Sequence, residues 1–583
     1  MYQGRLRFLT FATLAFALLL ISKLYYVQIL NGETYRSKAD HQYVDVSNFF
    51  DRGSIFFTTK DGSLVPAASM KSGFILAIDP QLFRQQSIDK NDVYEKLNNV
   101  YPVDKAIFDT KASRDYDPYE ELARRIPKET AEKIQALRIR GVSVYKEDWR
   151  VYPGEEMAAH AVGFIGFGGE DGNEVAGRYG LERYYEPVLK RTGDKAFVNF
   201  FAEVFSDIKK TLSSKESPEG DVVTTIEPSV QAALEDELSR IQSKYGSEYS
   251  GGIIIDPKSG EIRALAIAPT FDPNTPQTAS SVSVFSNKLI EDRYEMGSIV
   301  KALTMAAGLD SGAVTRKSVY NDLGCETLDK KTFCNFDKKS YGTRVPMQLV
   351  LSKSLNTGAA HVVKEMGNDI FRNYMHAYGL ASTTGIDLPN EGLGLTANLL
   401  SPRNLEYAQA SFGQGVAFTP VQMVRALSTL ANGGYLITPH IAKRIEYDIG
   451  IGKDTSFKVG ERIFKEGTSE EVSRMLTEVV DYALKNGAVR LPKYSVAAKT
   501  GTAQIANPAG GGYYADQYLH SFFGYFPSYD ARFLVFLYTF HPLGVQYASE
   551  TLTESFMSLT KFLINYYNVA PDRESPPPAT ITL

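Results

Sequence analysis

The chain has 583 residues, 43% of them hydrophobic and 22% charged, so it is long enough for several domains with sizeable cores. This composition excludes a short disulfide-stabilised scaffold and a disordered or collagen-like chain. Because the net charge is −5 and the isoelectric point is near 6.0, no overall basic field exists to bind a phosphate backbone, and we expect no nucleic-acid partner.

Residues 8–30 form an apolar and aromatic run with a single charge, Lys23. A helix needs ~20 apolar residues to cross a bilayer, and a lysine near one end can extend its amine to the interface. Two arginines precede the run and favour an N-terminus inside the cytoplasm, although two basic residues follow it closely. A cleaved signal peptide is the competing interpretation, but no small-x-small cleavage site follows the run. The sequence therefore predicts a cytoplasmic tail at 1–7, a single-pass signal anchor at 8–30, and an extracytoplasmic location for the rest of the chain.

Residues 31–220 are predicted to form a mixed α/β domain in which no catalytic constellation stands out. Residues 58–67 have the composition of a hairpin that turns at Lys60-Asp61-Gly62, and 118–139 have a helical pattern. The segment 211–220 is rich in Ser, Glu, Pro and Gly and has no hydrophobic period, which is typical of a connection between domains. We therefore place the main domain boundary there.

The next region, 221–570, has strand patterns at both ends and mostly helical patterns between them. Helices are predicted at 228–245 and 551–566, and the predicted strands are 221–226, 252–256, 261–268, 496–505, 521–526 and 532–540. The sequence thus predicts an α+β domain whose antiparallel sheet is built from both ends of the domain. A proline-rich, loose tail is expected at 571–583.

The chain has two cysteines, Cys325 and Cys334, and none of its seven histidines lies near them in sequence. Because a zinc site of the usual kind needs four ligands, we expect neither a metal nor a cofactor. In an oxidising compartment the two cysteines would suit a disulfide that closes a hairpin loop. Two free thiols are the alternative, and the sequence leaves both open.

The segment 297–301, G-S-I-V-K, opens an apolar helix and puts Ser298 and Lys301 one helical turn apart on the same face. A serine hydroxyl needs a base to become a nucleophile at neutral pH, and a lysine in a dry pocket has a pKa low enough to act as one. The helix start also favours developing negative charge. The S-x-x-K pattern alone is weak, because an N-cap serine followed by a solvated lysine is the commoner structure.

Two further segments strengthen this interpretation. Ser354-Leu355-Asn356 lies in a short turn between two helical patterns, where it can present a hydroxyl and an amide to a cleft, although helix capping would explain an isolated S-L-N more simply. Lys499-Thr500-Gly501-Thr502 lies on a strand of alternating character, and Gly501 would let a substrate backbone come close. The order S-x-x-K, S-x-N, K-T-G is the motif set of penicilloyl serine transferases.

The sequence resembles the class B penicillin-binding proteins, the monofunctional peptidoglycan D,D-transpeptidases, over nearly the whole chain after the predicted membrane span. Elements similar to theirs are R-G-S-I at 52–55, R-V-Y-P at 150–153, G-L-E at 180–182, F-D-P-N at 271–274 and G-Q-G at 413–415. One departure is Met296, which stands where many members have proline before the nucleophile.

The resemblance implies acyl transfer through a covalent serine. The roles it implies are nucleophile for Ser298, general base for Lys301, proton relay for Ser354, substrate-amide ligand for Asn356, carboxylate ligands for Lys499, Thr500 and Thr502, and close approach to the substrate for Gly501. Backbone N–H groups of Ser298 and Thr502 are the implied oxyanion hole. Ser298 would attack the penultimate D-alanine of a stem peptide, an amine from a neighbouring stem would resolve the acyl-enzyme, and β-lactams would acylate the same serine.

The implied partners are peptidoglycan stem peptides ending in D-Ala-D-Ala, β-lactams, and an inner-membrane glycan polymerase with division or elongation proteins, since no glycan-polymerising domain fits in the chain. The compact region 31–220 is more similar to the division-type (septal) branch than to the elongation branch. The alternatives left open are an elongation-type transpeptidase, a D,D-carboxypeptidase, a β-lactam sensor or hydrolase, and a non-catalytic division scaffold.

Overall fold

The structure is a computed structural model that describes residues 51–168, 174–191, 219–447, 450, 452–455, 457–507 and 510–573. The predicted anchor at 8–30, most of the segment 211–220 and the tail from 574 lie outside these residues. Within the described ranges, no helix has the length and apolar character that crossing a membrane requires.

The described residues form two compact units. The first contains Met70–Arg150, and the second contains Gly53–Ser69, Val151–Lys190 and the chain from 219 onward. Parts of the predicted 31–220 domain thus group with the residues that follow it, and the predicted boundary near 220 stays a prediction.

The strands of the described residues are, in chain order, β1 (Ile55–Thr58), β2 (Leu64–Ile78), β3 (Glu120–Ile126), β4 (Val142–Val151), β5 (Ile165–Gly168), β6 (Glu174–Gly177), β7 (Gly220–Thr224), β8 (Tyr249–Ile255), β9 (Ile262–Ala268), β10 (Val319–Asp322), β11 (Cys325–Leu328), β12 (Lys331–Cys334), β13 (Gly342–Pro346), β14 (Ala442–Tyr447), β15 (Gly452–Asp454), β16 (Ala497–Ala506), β17 (Tyr513–Phe526) and β18 (Phe533–Phe540).

The α-helices of the same residues are α1 (Pro80–Gln85), α2 (Lys90–Asn98), α3 (Lys105–Ala112), α4 (Lys128–Ala136), α5 (Ala159–Val162), α6 (Gly180–Tyr184), α7 (Glu186–Leu189), α8 (Pro228–Tyr245), α9 (Val300–Asp310), α10 (Met347–Ser352), α11 (Asn356–Met366), α12 (Asn368–Ala377), α13 (Asn404–Ser411), α14 (Pro420–Ala431), α15 (Glu466–Glu478), α16 (Ala548–Thr551) and α17 (Thr553–Tyr566).

In the first unit, a small sheet and four helices share one buried apolar cluster. The end of β2 pairs antiparallel with β3, from Phe74 opposite Ile126 to Ile78 opposite Glu120, and β4 also pairs with β2. The buried residues of the cluster include Leu76, Ile78, Phe83, Val93, Leu97, Phe108, Ile126 and Ile134. Aspartate side chains at the N-caps of α1, α2 and α3 accept hydrogen bonds from backbone N–H groups and fix where these short helices begin.

The predicted helix over 118–139 is wrong in its first half. Glu120–Ile126 is strand β3, and α4 begins only at Lys128, after Pro127. Proline disfavours helical backbone at the residue before it, so a helix does not pass through this point easily. Ile126 is fully buried in the core of the first unit, and this tertiary contact favours the strand.

The second unit contains the antiparallel sheet that the sequence predicts. Its order is β16-β17-β18-β8-β9, so strands from both ends of the 221–570 region lie side by side, and β16 is an edge strand. Successive residues of β8 point to opposite faces: Ile253 and Ile255 pack in one buried cluster with α9, and Ile254 packs in another with α8 and α17. The prediction of an α+β domain with such a sheet is confirmed, and the predicted bounds of helix 228–245 agree with α8.

A second sheet of this unit confirms the predicted hairpin at 58–67. Thr58 lies opposite Leu64 where β1 pairs antiparallel with β2, and β1 also pairs parallel with β7. Strand β7 continues the sheet to β14 and β15.

Residues 151–190 are attached to the later part of the second unit by polar side chains. Tyr152 N–H donates to Asn274 Oδ1 at 2.9 Å, and the Tyr152 hydroxyl donates to Glu182 Oε1 at 3.2 Å. The family-like elements at 150–153, 180–182 and 271–274 therefore meet in one place.

The chain is held in place beyond α17. The Asp572 carboxylate accepts a hydrogen bond from Ser495 N–H at 2.7 Å, and Arg573 forms an ion pair with Asp481 at 2.8 Å. The first residues of the predicted loose tail at 571–583 are thus anchored, because Asp572 and Arg573 bind buried polar groups of the second unit.

Candidate active site

Ser298 lies at the start of a helix that is packed closely against strand β16. It is half-buried in a single 3₁₀ turn, Gly297–Ile299, which leads directly into α9. Gly297 has φ +63°, and a Cβ at this position would lie 2.8 Å from Thr502 O, so the turn requires glycine. The segment before it is also held, since Ser521 Oγ donates to Met296 O at 2.8 Å. Ser298 is therefore presented on a fixed backbone beside the K-T-G-T strand.

Three of the predicted residues meet at a single hydroxyl. Lys301 Nζ donates hydrogen bonds to Ser354 O at 2.6 Å and to Ser354 Oγ at 3.2 Å. Lys499 Nζ donates to the same Oγ at 3.0 Å and to Thr500 O at 3.0 Å. Lys301 is 1% exposed and Lys499 is 3% exposed, so two amines share one dry pocket.

Burial in this pocket favours the neutral form of both lysines. The pKa of Lys301 lies well below its usual value, first because burial penalises the charged amine and second because Lys499 is close. Burial also lowers the pKa of Lys499, to about 7. Burial and the neighbouring amine both favour the neutral form of Lys301, and Lys499 is partly protonated near neutral pH.

The hydrogen bonds of Lys301 match those of a neutral amine. Such an amine has two N–H donors and one lone pair, and Ser354 O and Ser354 Oγ occupy both donors. The lone pair remains available to accept a proton. Because Ser354 Oγ accepts from both lysines, its own hydrogen is free to be donated elsewhere.

Ser354 occupies a strained backbone position in the turn between α10 and α11. Its φ is +55°, a left-handed conformation that costs a non-glycine residue roughly 1–2 kcal/mol. Such strain is often found where a side chain must point into a site. The position brings the hydroxyl to the two lysines and lets α11 begin two residues later at Asn356.

Asn356 is tied to the loop that the two cysteines close. Its Nδ2 donates to Cys334 O at 2.8 Å. Cys325 and Cys334 lie directly opposite each other in the β11–β12 hairpin and form a disulfide, which decides between the two alternatives that the sequence left open. This hydrogen bond uses only the amide nitrogen of Asn356, so its amide oxygen can still accept another hydrogen bond.

Strand β16 presents its threonines at the open edge of the sheet. Thr500 and Thr502 are half-buried and alternate with buried Lys499 and Gly501. Thr502 Oγ1 accepts the Ala548 N–H at 3.1 Å, so its hydroxyl hydrogen is free to bind an anion. The outer backbone groups of an edge strand are also available to an extended peptide.

The sequence suggests that Gly501 lets a substrate backbone come close, but the structure gives a different reason for a glycine here. A Cβ there would lie 2.3 Å from Ser521 Oγ and 2.6 Å from Met296 O. The glycine thus lets β16 approach the segment that carries Ser298, and its Cβ direction faces protein rather than an open groove.

Two buried or half-buried carboxylates support the site although the sequence did not single them out as site residues. The buried carboxylate of Asp322 accepts from Asn335 Nδ2 at 3.0 Å and from Thr357 Oγ1 at 2.8 Å, which joins the disulfide hairpin to α11. Glu295, three residues before Ser298, accepts from Gly415 N–H at 3.0 Å and from the Tyr513 hydroxyl at 2.9 Å. Only the family-like G-Q-G element at 413–415 gave a signal for either group.

Two buried amines at one serine hydroxyl, with a second serine one turn from the first amine, are suited to moving the proton of a serine. They define the class of protein as a serine acyltransferase. A family model described as penicillin binding protein transpeptidase domain matches residues 251–558, and one described as penicillin-binding protein dimerisation domain matches residues 51–225. The chain belongs to the penicillin-binding protein transpeptidase family and is a class B member of it.

Named relatives agree with this assignment, and a solved structure has a similar fold. The chain is 30% identical to stage V sporulation protein D of Bacillus subtilis, covering 92% of this chain and 81% of the relative. It is 25% identical to a peptidoglycan D,D-transpeptidase FtsI homolog of Mesostigma viride, covering 95% and 94%. Its fold is similar to that of penicillin-binding protein 3 from Mycobacterium tuberculosis complexed with aztreonam, with a TM-score of 0.66 at 21% identity, covering 91% of this chain and 99% of that one.

Proposed function

We propose that this enzyme cross-links peptidoglycan stem peptides by D,D-transpeptidation through an acyl-enzyme on Ser298. The observation that carries the proposal is that Lys301 and Lys499, both buried, donate to the same Ser354 hydroxyl. The relative named a peptidoglycan D,D-transpeptidase supports the substrate class.

In the first half-reaction, Ser298 Oγ attacks the carbonyl carbon of the penultimate D-alanine while its proton passes to the lone pair of Lys301. The C–N bond to the terminal D-alanine then breaks, and the leaving nitrogen takes a proton that Ser354 relays from Lys301. Free D-alanine and a Ser298 ester are the products. The lowered pKa of Lys301 supports its role, because a base must be neutral to accept the proton.

In the second half-reaction, an amine of a neighbouring stem peptide attacks the ester carbonyl. Its proton passes to Lys301, the C–O bond to Ser298 breaks, and Ser298 Oγ regains a proton. The sum is one peptide bond exchanged for another, with no redox step and no cofactor. Backbone N–H groups of Ser298 and Thr502 stabilise the oxyanion in both halves, and removing such a donor typically costs about 2.7–4 kcal/mol.

The remaining residues hold the donor. Asn356 accepts a substrate N–H through its amide oxygen, while Lys499 and the hydroxyls of Thr500 and Thr502 bind the terminal carboxylate. A β-lactam offers the same carboxylate and a strained amide, so it acylates Ser298 in place of the stem peptide.

We also propose the cellular arrangement that the apolar run at 8–30 supports. Residues 1–7 lie in the cytoplasm, 8–30 span the membrane once, and a pedestal at 31–220 carries the transpeptidase domain at 221–570 on the outer side. A glycan polymerase in the membrane supplies the strands to be cross-linked.

The relatives named FtsI support a role at the division septum. Depletion of the protein tests this role. Chains of unseparated cells would support the septal branch, and swollen cells would support the elongation branch.

The reaction itself is tested by incubating the full-length protein with a pentapeptide donor and an amine acceptor. Release of D-alanine together with a donor–acceptor peptide identifies a transpeptidase. Release of D-alanine with only hydrolysed donor identifies a D,D-carboxypeptidase, and rapid turnover of a penicilloyl adduct identifies a β-lactamase. A protein that forms no adduct with any of these compounds is a scaffold, and the proposal is then wrong.

A further inference from the structure

The first unit carries a row of aromatic and charged side chains that the reaction proposed above does not use. Successive residues of a strand point to opposite faces, and Val142 and Val144 of β4 pack against the buried cluster of this unit. Tyr145, Glu147 and Trp149 of the same strand therefore lie on the opposite face. Together with neighbours in or next to β3 they form a surface that we call the aromatic row. Its members are Tyr119, Glu121, Arg124, Tyr145, Glu147 and Trp149.

The members of the row are joined to one another across the two strands. Tyr119 and Tyr145 contact each other with their ring centroids 5.8 Å apart. The Arg124 guanidinium donates to Glu121 at 2.6 and 2.8 Å, and to Glu147 Oε1 at 3.3 Å. The Tyr119 hydroxyl donates to Glu121 Oε1 at 3.1 Å. Because these contacts already hold the side chains in place, a ligand would order few of them on binding.

Trp149 lies at one end of the row, against the neighbouring strand. A Cβ at Gly73 of β2 would lie 2.9 Å from the indole ring, so the glycine makes room for the indole. The Arg125 guanidinium lies 5.3 Å from the ring centroid. Within the described residues, no group accepts the indole N–H of Trp149 or the hydroxyl hydrogen of Tyr145, although both side chains are half-buried. The polar ends of both rings are therefore available to a ligand.

We propose that the aromatic row binds the sugar chain of a glycan strand. This inference rests on the proposed function, in which the stem peptides to be cross-linked are attached to such strands. The C–H face of a sugar ring packs on an aromatic ring, while sugar hydroxyls and acetamido groups form hydrogen bonds with carboxylates, guanidinium groups and the polar ends of tyrosine and tryptophan. From Tyr145 to Trp149 the row extends about 13 Å, four residues at ~3.3 Å each, so it is longer than one sugar ring.

The charges of the row favour a neutral sugar over a charged partner. The two carboxylates of Glu121 and Glu147 are balanced by the guanidinium groups of Arg124 and Arg125. The row therefore has no net field that would select an anion or a cation. It also contains no aliphatic side chain, so its apolar area is confined to ring faces bordered by polar groups. A sugar ring has the same pattern, a C–H face bordered by hydroxyls.

The test uses Trp149, the only tryptophan of the chain, as its reporter. The intrinsic tryptophan fluorescence of the full-length protein consequently reports on the row alone. The protein is titrated with chitohexaose, a hexamer of N-acetylglucosamine, and we expect a saturable shift of the emission to shorter wavelength as the indole is covered. The affinity should change less than about twofold between about 0.1 and about 1 M salt, because the row has no net charge.

Variants that keep the reporter test the contribution of the rings. Tyr145→Ala removes one stacking face and should weaken binding by about fivefold or more, whereas Tyr145→Phe keeps the ring and should lose only about twofold. The matched control is Tyr529→Ala in the second unit, a tyrosine that is 54% exposed and whose removal should leave the affinity unchanged. Tyr119→Ala repeats the measurement if Tyr145→Ala does not fold.

A comparison of two natural ligands separates sugar from peptide recognition. Glycan strands that keep their stem peptides and strands from which an amidase has removed them should bind equally well. Binding that requires the stem peptides would assign the row to a peptide or protein partner and overturn the proposal. So would a failure of both chitohexaose and the stripped strands to bind, or equal affinities of wild type and Tyr145→Ala.

Acylation by benzylpenicillin distinguishes a failure of this inference from a failure of the proposed function. Ser298 of Tyr145→Ala should be acylated at the wild-type rate, because the aromatic row belongs to the first unit and Ser298 to the second. Slower acylation of the variant would contradict a site that acts only on the glycan. Wild-type protein that benzylpenicillin does not acylate would refute the proposed function, whatever the titration with chitohexaose shows.

Discussion

Lys301 and Lys499 donate hydrogen bonds to one oxygen, the hydroxyl of Ser354, at 3.2 and 3.0 Å. Protonating both amines in a buried pocket is costly in free energy, because the two positive charges repel each other and neither is solvated. The shared hydroxyl therefore couples their protonation states.

Replacing Lys301 by arginine tests the general base. Arginine keeps the positive charge and most of the bulk, but its guanidinium stays protonated and cannot accept the Ser298 proton. We expect Lys301→Arg to slow acylation by benzylpenicillin by about 10²–10⁴-fold, measured by stopped-flow or quenched-flow labelling. Acylation within a few-fold of wild type would mean that Lys301 acts through charge or structure alone.

The pH dependence of the donor half-reaction should be bell-shaped. On the acidic side, kcat/KM falls as Lys301, whose pKa is lowered, becomes protonated. On the alkaline side it falls as Lys499 loses the charge that binds the carboxylate, and the pKa of about 7 places the start of this limb near neutrality. Lys499→Arg stays charged at every pH and should remove the alkaline limb while it keeps the acidic one. A profile whose alkaline limb is unaffected by Lys499→Arg would contradict this assignment.

The same pKa directions predict how stability responds to pH. Both lysines bind protons less readily in the folded protein than in the unfolded chain, where a lysine titrates near 10.4. The unfolded state therefore binds more protons between the folded and unfolded pKa values, and the contribution of these groups to the free energy of unfolding rises with pH across that interval. Urea denaturation of wild type and of Lys499→Met at several pH values measures this, and we expect the slope to be smaller in the variant.

The strained backbone of Ser354 separates stability from activity. Ser354→Ala and Ser354→Gly both remove the relay hydroxyl, and we expect both to reduce the release of D-alanine by about 10²-fold or more. Glycine also relieves the left-handed conformation at φ +55°, so the glycine variant should be more stable than the alanine variant by about 1 kcal/mol in chemical denaturation. Equal stabilities would show that the backbone at 354 is not strained.

Asp322 is predicted to position Asn356 without touching the substrate. Asp322→Asn replaces one acceptor oxygen by a donor that faces Asn335 and Thr357, and we expect a loss of about 1–3 kcal/mol in the free energy of unfolding. Because the hairpin that holds Asn356 loosens, KM for the donor should rise more than kcat falls. The exposed Asp337, which accepts from Lys339 N–H in the same loop, provides the control Asp337→Asn, which should change neither quantity.

The sheet and its long helices could be predicted because their patterns agree with their packing. The apolar spacing of 228–245 is the buried face of α8, and the strands at both ends of the 221–570 region form one antiparallel sheet. The helix predicted over 118–139 failed because the buried contact of Ile126 and the effect of Pro127 outweigh the local helical pattern.

For the site, the motifs identified residues but not the contacts between them. Nothing in the sequence shows that Ser354 takes a left-handed backbone, or that Lys301 and Lys499 share its hydroxyl, since these relations join segments far apart in the chain. The carboxylates of Asp322 and Glu295 gave no motif of their own, because their partners are backbone N–H groups, amides and hydroxyls that follow no fixed spacing.

The most direct test of the account is to find where the acyl group of a donor peptide is attached. The full-length protein is incubated with a pentapeptide thioester without acceptor, quenched in acid and digested, and the modified peptide is sequenced by mass spectrometry. We predict one ester-linked tetrapeptide on Ser298, which is absent in Ser298→Ala although that variant has an unchanged circular dichroism spectrum. An adduct on any other residue, or an equal yield in Ser298→Ala, would contradict it.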